Sequence, residues 1–327
     1  MNQKKLPEPK PLFLERMQEL LPDEKEFQDY LDILKISPVR SIRCNTLKIS
    51  PGKLKMRLEE KRWKIKQPWK NNPEVMIVEN ELSPGELGRA LEHLLGYYYI
   101  QELASMLPVI ALSPKKNELI LDLCAAPGSK TTQLSSEMEG TGTIIANEIS
   151  MGRLKILASN LERCGAANTI ITKKDGGVLC KRIAKYNFES ELDRILIDAP
   201  CSGEGTLRSS LKTYSMWNIK TIKNLPRIQR DLISSALKIL KQDGILIYST
   251  CTHAPEENEE VVDAVLKEFK EKIKLEKIKL PKEVKTREGI TKWEDKIYSE
   301  EVKKCARIYP QDNNTEGFFI AKFKKIK

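Results

Sequence analysis

The chain has 327 residues and a mass of 37.4 kDa, is 40% hydrophobic and 31% charged, and so is no disordered polymer; it has room for one large domain or two ordinary ones. No apolar run approaches the ~18 residues of a membrane span, and MNQKKLPEPK lacks the apolar stretch of a signal peptide, so a cytoplasmic protein off the membrane is expected. The net charge is +10, and that whole excess lies in residues 33–72, where twelve Lys/Arg face only Glu59 and Glu60. A basic patch so confined is the footprint of a polyanionic partner. The seven cysteines form no C-x-x-C pair and the only histidines are His93 and His253, so neither a metal site nor a disulfide framework is expected.

In chain order, PLFLERMQELL and the residues to 35 repeat apolar side chains at three- and four-residue spacing after a proline, which predicts two short helices. VRSIRCNTL alternates as a strand does. Ser50-Pro51 then opens a basic helix to about Arg62, with serine as N-cap and proline in the first turn. Strand-like pieces follow at Trp63–Gln67 and Val75–Val78, and helices near 85–95 and 101–112 join this small mixed α/β unit to the remainder.

From residue 118 the runs ELILDLCA, GTIIANE, NTIITKKD, DRILIDAPC and GILIYSTC alternate with helical stretches, including a long one around 220–241 and another at 255–270. The runs are Ile/Leu-rich without alternation, as in strands buried on both faces. Strand–helix alternation of this kind predicts a doubly wound, mostly parallel α/β sheet. KCARIYP and GFFIAKFKK in the tail predict a closing hairpin.

Ligands bind such sheets outside the carboxyl ends of the strands, so the residues that end each run matter most. The first ends in Asp122-Leu123-Cys124-Ala125-Ala126-Pro127-Gly128-Ser129-Lys130-Thr131, small residues that let backbone approach a ligand. G-x-G-x-x-G is absent, and Leu123 stands where a P-loop needs glycine, which disfavours dinucleotides and ATP. The second run ends in Asn147-Glu148, an acid suited to a ribose diol, and the third near Asp175, placed for an adenine amino group. Adenosine without a phosphate cradle fits S-adenosylmethionine. Each acid could instead merely cap a helix; three in register favour the ligand.

The fourth run ends Asp198-Ala199-Pro200-Cys201-Ser202 and the fifth Ser249-Thr250-Cys251-Thr252. In the common strand order these strands are neighbours, ~4.8 Å apart, so both thiols should open into one crevice beside the cofactor. Beside a methyl donor, a thiolate can add to C6 of a pyrimidine and make C5 nucleophilic, which is covalent catalysis. Asp198 could hold the N3/N4 edge of the base and stabilise charge in the ring. Residue types alone do not say which cysteine attacks.

The strings DLCAAPGSKTTQL (122–134), DRILIDAPCSGEGTLR (193–208), GILIYSTCTHAPEENEEVV (244–262) and RIYPQDNNTEGFFIAKFKK (307–325), with Trp217, Gln229 and YYYIQELASMLP (97–108), resemble the NOL1/NOP2/Sun family of RNA (cytosine-5) methyltransferases. The resemblance runs from about residue 35 to the C-terminus. It implies a Rossmann-like S-adenosylmethionine-dependent methyltransferase sheet, with N-terminal helices over 1–36, a small basic α/β RNA-binding unit over 37–95, and a catalytic domain over 96–327. It implies Cys251 as the nucleophile and Cys201 as the group that assists release, with Asp198 and Lys130 completing the catalytic set. It also implies that Cys124, Ala125, Ala126, Pro127, Gly128, Ser129, Lys130, Glu148, Arg153, Asp175 and Asp198 line the cofactor and base pocket. Glu148 departs from the more frequent Asp, which changes reach; Gln311 replaces a common histidine, which leaves no role to carry over there.

Arg40, Arg43, Arg57 and Lys61 in the basic segment are the expected RNA contacts, although Arg40 and Arg43 are three apart and so can fall on opposite strand faces. The expected reaction is methylation of cytosine C5 in structured RNA by a monomer, with tRNA favoured over rRNA because the N-terminal unit carries no appended domain. Two other readings compete. A DNA cytosine-5 enzyme would attack with the Pro-Cys cysteine, and a non-catalytic RNA-binding factor should have lost its thiols or its ribose acid.

Overall fold

A computed structural model describes residues 9–186 and 192–327, so the first eight residues of the expected N-terminal unit lie outside the described residues. Helix α1 (Pro11–Leu20) starts on a proline, whose missing N–H is harmless in a first turn. Asp23 caps α2 (Glu24–Leu34) by accepting the Glu26 N–H at 2.9 Å. The apolar faces of this pair, Phe13, Met17, Leu21, Tyr30 and Leu34, do not pack on the unit that follows in sequence. They pack on Leu207, Tyr214, Trp217 and Ala254, far along the chain.

The small unit contains β1 (Arg40–Cys44), α3 (Pro51–Glu60), β2 (Ile65–Lys66), β3 (Val75–Val78), the one-turn helices α4 (Glu86–Arg89) and α5 (Leu91–Leu94), and β4 (Tyr98–Ile100). Its sheet order is β2-β3-β1-β4. Ser50 caps α3 and Pro51 opens it, and Leu54 and Leu58 are buried against Ile42, Trp63 and Met76. The expected boundary at residue 95 moves: Ile100 lies opposite Ile42 in an antiparallel pair, so the small sheet continues through residue 100. A three-residue strand has too little pattern to be read locally. Helix α6 (Leu103–Leu112) crosses from this unit to the larger one.

The large unit follows the expected alternation: β5 (Leu119–Asp122), α7 (Ser129–Glu137), β6 (Thr143–Asn147), α8 (Met151–Cys164), β7 (Thr169–Thr172), α9 (Gly176–Lys185) and β8 (Leu192–Asp198). Then come α10 (Leu211–Met216), α11 (Ile219–Ile239), β9 (Leu240–Thr250) and α12 (Glu259–Phe269). The tail supplies β10 (Ile273–Leu275), β11 (Arg287–Glu288), a ribbon of β12 (Lys292–Trp293) and β13 (Lys296–Ile297), β14 (Ala306–Ile308), α13 (Pro310–Asn313) and β15 (Phe318–Lys325).

The sheet order is β11-β14-β15-β9-β8-β5-β6-β7, with β10 also paired to β15. Strands β5 to β9 pair in parallel, while β15 joins β9 antiparallel and closes a hairpin with β14. The chain enters at β5, winds out through β6 and β7, and returns to β8 and β9. The order therefore reverses between β5 and β8, where an open α/β sheet binds its ligand. Ile120, Leu196 and Ile247 face α6 and α7; Leu121, Ile195 and Leu246 face α9, α11 and α12. Burial on both faces explains why these runs do not alternate.

Two buried arginines tie distant segments to this frame. Arg208 is 0% exposed and donates to Ile36 O, Ser37 O, Thr315 O and Asn314 Oδ1, joining the end of the N-terminal helices to the tail. Arg307 forks onto Glu259 with two 2.6 Å bonds, both side chains nearly sealed from water. Removing one partner of such a pair leaves a buried charge unpaired and costs ~3–5 kcal/mol. Arg307→Met is therefore expected to lower stability by that order in urea unfolding. A change within the scatter of surface substitutions would show that water already screens the pair.

Candidate active site

The loop after β5 turns on Gly128, whose φ of 104° lies in the left-handed region, and a Cβ there would sit 3.0 Å from Leu157 Cδ1. The backbone conformation favours glycine, and a side chain there would also crowd Leu157. Helix α7 then starts at Ser129, which places Lys130 in its first turn. Asp122, at the end of β5, is 1% exposed and accepts the Thr131 hydroxyl at 2.7 Å. Burial pushes its carboxyl up to about 7, against the pull of that hydrogen bond.

Glu148 ends β6 and is 2% exposed. It accepts the Ser150 N–H at 2.8 Å and pairs with Arg153 at 3.3 Å, and Arg153 also donates to Ala126 O. The expected ribose acid and Arg153 are thus stitched to the glycine loop. Asp175 is exposed and accepts the Val178 N–H at 3.0 Å, so it does cap α9, the bland alternative for these acids, while standing at the expected strand end.

Lys130 is the hub. Its ammonium donates to Asp198 Oδ2 at 2.7 Å and to Ser105 Oγ at 3.0 Å, and lies 5.3 Å from the centre of the Phe318 ring. Ser249 donates to the other oxygen of Asp198 at 2.8 Å. Asp198 and Ser249 are register partners in β8 and β9. The loops beyond them bring Cys201 Sγ and Cys251 Sγ to 3.2 Å. Both cysteines are half-buried, whereas Cys44, Cys164, Cys180 and Cys305 are buried, as expected for small hydrophobes. The neighbouring Cys251 thiol and burial together hold the Cys201 thiol well above the ordinary range, with Glu257 adding to the effect.

Sequence reading did not find Ser105 or Phe318; their segments belong to the resemblance, but nothing local says that they reach Lys130. Nor did it find Glu204, fully buried, which accepts Trp217 Nε1 at 2.7 Å and the Thr252 hydroxyl at 3.2 Å and so ties the two cysteine loops together.

The expected RNA contacts fare unevenly. Arg43 is 1% exposed and donates to Gln101, to Ser129 O at 2.7 Å and to Thr132 Oγ1 at 2.8 Å. It braces β1 against the first turn of α7 and cannot meet a phosphate. Arg57 and Lys61 both pair with buried Glu92. Arg40 is exposed and donates only to Asn80 O at 3.2 Å among the described residues. Period-two geometry separates Arg40 from Arg43, one face in and one out.

A reversal-point crevice with a glycine loop, strand-end acids and no phosphate cradle defines an α/β methyltransferase. The family model of 16S rRNA methyltransferase RsmB/F matches residues 109–324, and that of the N-terminal domain of 16S rRNA methyltransferase RsmF matches residues 8–103. The chain belongs to this family of RNA cytosine-5 methyltransferases, enzymes that in general depend on S-adenosylmethionine. It is 44% identical over 306 residues to the tRNA (cytosine(49)-C(5))-methyltransferase of Pyrococcus abyssi, with 93% of each chain covered. It is 38% identical over 324 residues to the ribosomal RNA small subunit methyltransferase F of Psychromonas ingrahamii, which covers 96% of this chain but only 63% of that one.

Among solved structures, a methyltransferase homolog protein from Pyrococcus horikoshii superposes with a TM-score of 0.80 at 33% identity, covering 97% of this chain and all of that one. NSun6 from the same organism, solved with the S-adenosylmethionine analogue SFG, gives 0.81 at 26% identity over 97% and 98% of the chains. No helix among the described residues is long and apolar enough to cross a membrane.

Asp122 carries a pH dependence with a definite sign. Its folded value of about 7 lies above the ordinary 3.8, so the folded state holds the proton more tightly than the unfolded chain. Its contribution to stability is complete below about 4 and is lost as pH rises toward 7. Asp122→Asn, which keeps an acceptor for Thr131, is expected to raise the urea midpoint at pH 8 and leave it unchanged at pH 4. Equal shifts at both pH values would sink this account.

Proposed function

We propose that this chain methylates cytosine C5 in RNA, tRNA in particular, by covalent catalysis from Cys251. The observation that carries the proposal is the pair of sulfurs 3.2 Å apart at the ends of adjoining parallel strands, beside Lys130 and Asp198. When bound, S-adenosylmethionine supplies an electrophilic methyl group. The residues present fit it: a loop with no Cβ at Gly128, an acid at Glu148 held by Arg153, and an exposed acid at Asp175.

The Cys251 thiolate forms a bond to C6 of the cytosine and drives ring electrons to C5, which becomes the carbon that takes the methyl group. Removal of the C5 proton then returns an electron pair to the C5–C6 bond, and the C6–S bond breaks to regenerate the thiolate. Cys201 assists that second half. The Cys201 thiol, held well above its ordinary range by its contact with Cys251 and by burial, supports this role for it. Asp198 accepts from the N4 amino group while Lys130 keeps a positive charge beside the ring.

The tRNA reading rests on similarity. The Pyrococcus abyssi tRNA enzyme is 44% identical over 93% of both chains, against 38% for the ribosomal relative from Psychromonas ingrahamii. The basic unit, with the N-terminal helices, would hold the RNA. One chain supplies both thiols, both loops and the basic surface, so a monomer is the acting unit.

Cys251→Ala should abolish methyl transfer and keep cofactor binding. Cys201→Ala should accumulate a protein–RNA adduct that survives a denaturing gel and requires S-adenosylmethionine. The reverse assignment of those two phenotypes would place attack on Cys201.

With Arg43 buried and Arg57 and Lys61 paired to Glu92, the surface cations Arg40, Lys53, Arg62 and Lys64 take over as the proposed phosphate contacts; all are exposed, and none forms an ion pair among the described residues. Each lost contact should flatten the dependence of log K on log salt by ~0.7–0.9. The quadruple alanine variant, titrated with tRNA over a salt series, should therefore bind less tightly and with a shallower slope. An unchanged slope would move the RNA surface to the catalytic crevice.

A further inference from the structure

The EEN run before α12 has no task in the chemistry above. Glu257 and Asn258 within it are both 0% exposed, and their side chains serve different cysteine loops. Glu257 Oε2 accepts the Ser202 N–H at 3.0 Å and Gln229 Nε2 at 2.9 Å. The same Gln229 nitrogen donates to Pro200 O at 2.9 Å. The peptide groups on the two sides of Cys201 are thus tied to one buried knot.

Asn258 treats the other loop in the same way. Its Oδ1 accepts the Thr250 hydroxyl at 2.6 Å, and its Nδ2 donates to Thr252 O at 3.0 Å, on either side of Cys251. Tyr248 OH donates to Glu257 O at 2.6 Å and fixes the dipeptide to β9. Asparagine is a favoured helix N-cap, and Asn258 stands at the N-cap of α12, yet its side chain bonds no N–H of that helix. A side chain with only a structural task here would cap the helix. This one faces the loop instead, and its neighbour faces the other loop.

We propose that Glu257 and Asn258 are positioning residues that set the separation of the two thiols, Glu257 through the Cys201 loop and Asn258 through the Cys251 loop. The consequence for turnover rests on the cysteine chemistry proposed above; the geometric claim does not. Loss of Glu257 impairs release, because Cys201 drifts, and loss of Asn258 impairs attack, because Cys251 drifts.

The test begins with the full-length chain and diamide, a thiol oxidant. The two thiols give up their hydrogens to its N=N bond, and a disulfide and a hydrazine form. Wild-type protein should form the Cys201–Cys251 disulfide rapidly, read by peptide mass mapping. Glu257→Ala and Asn258→Ala should slow it by ~10-fold or more, since displacements near 1 Å cost that much between reacting atoms. Glu257→Gln, which keeps an acceptor for Ser202, should stay close to wild type. Thermal unfolding and S-adenosylmethionine affinity report whether each variant is folded. Gln229→Leu and Asn258→Asp make the same test if an alanine variant does not fold, the first by cutting the tie to Pro200 and the second by losing the donor to Thr252.

In the presence of tRNA and S-adenosylmethionine the phenotypes should divide. Glu257→Ala should accumulate the covalent adduct, whereas Asn258→Ala in a Cys201→Ala background should lose it. Unchanged diamide rates in folded variants overturn the positioning roles, whatever the catalytic cysteine proves to be. Slowed rates together with normal turnover in Cys251→Ala would instead uphold the positioning and remove the cysteine mechanism.

Discussion

The parallel pairing of β8 with β9 is the constraint on which the site depends. It sets Asp198 opposite Ser249, so that two chemically different strand ends finish at one level. A one-residue slip would carry Ile195, Ile197 and Leu246 to the opposite buried face, into sites shaped for Leu196 and Ile247, and would part Asp198 from Ser249. The positions of the thiols therefore inherit the rigidity of a core buried on both faces. Cross-loop bonds add to it: Gly205 N–H donates to Cys251 O at 2.9 Å, and Ser202 and Thr252 hydroxyls meet at 2.8 Å. A Cβ on Gly205 would lie 2.3 Å from Gly317 O, so only glycine lets these three backbones approach.

The charge of this protein is less available than its composition implies. Arg43, Arg57 and Lys61 sit in the basic segment, but one is buried and the other two compensate Glu92. Burial acts the other way on acids. Asp122, Glu137, Glu257 and Glu316 all have carboxyls pushed up to about 7, so several formal negative charges are partly neutral near physiological pH. The field met by a polyanion is set by the cations left outside, and by their arrangement on the small sheet.

The N-terminal helices are a clamp on the cysteine loops. Phe13 meets Trp217 edge-on at 5.7 Å, Tyr30 meets His253 at 5.6 Å, and Arg16 pairs with Glu256 at 2.8 Å with both side chains buried. His253 also stacks on Tyr309 at 5.0 Å, and burial holds its imidazole down at about 3, so it is a neutral packing element at any physiological pH. The first described residues of the chain thus stabilise segments two hundred positions away, including the residue after Thr252.

Local pattern was enough for the parallel sheet, because fully buried strands must be continuously apolar and the helices between them must repeat at 3.6 residues. It was enough to place the Gly128 loop, Glu148 and the two cysteine motifs at strand ends, because each follows directly on an apolar run. It could not place Ser105 or Phe318 on Lys130, assign β4 to the small sheet, or withdraw Arg43 from the surface. Nor could it show that Glu257 and Asn258, adjacent in sequence, serve opposite loops. Those outcomes depend on which distant backbone and side-chain groups come within hydrogen-bond reach, and that is decided only when the chain has closed on itself: β4 on β1, α1 and α2 on the cysteine loops, and β15 on β9.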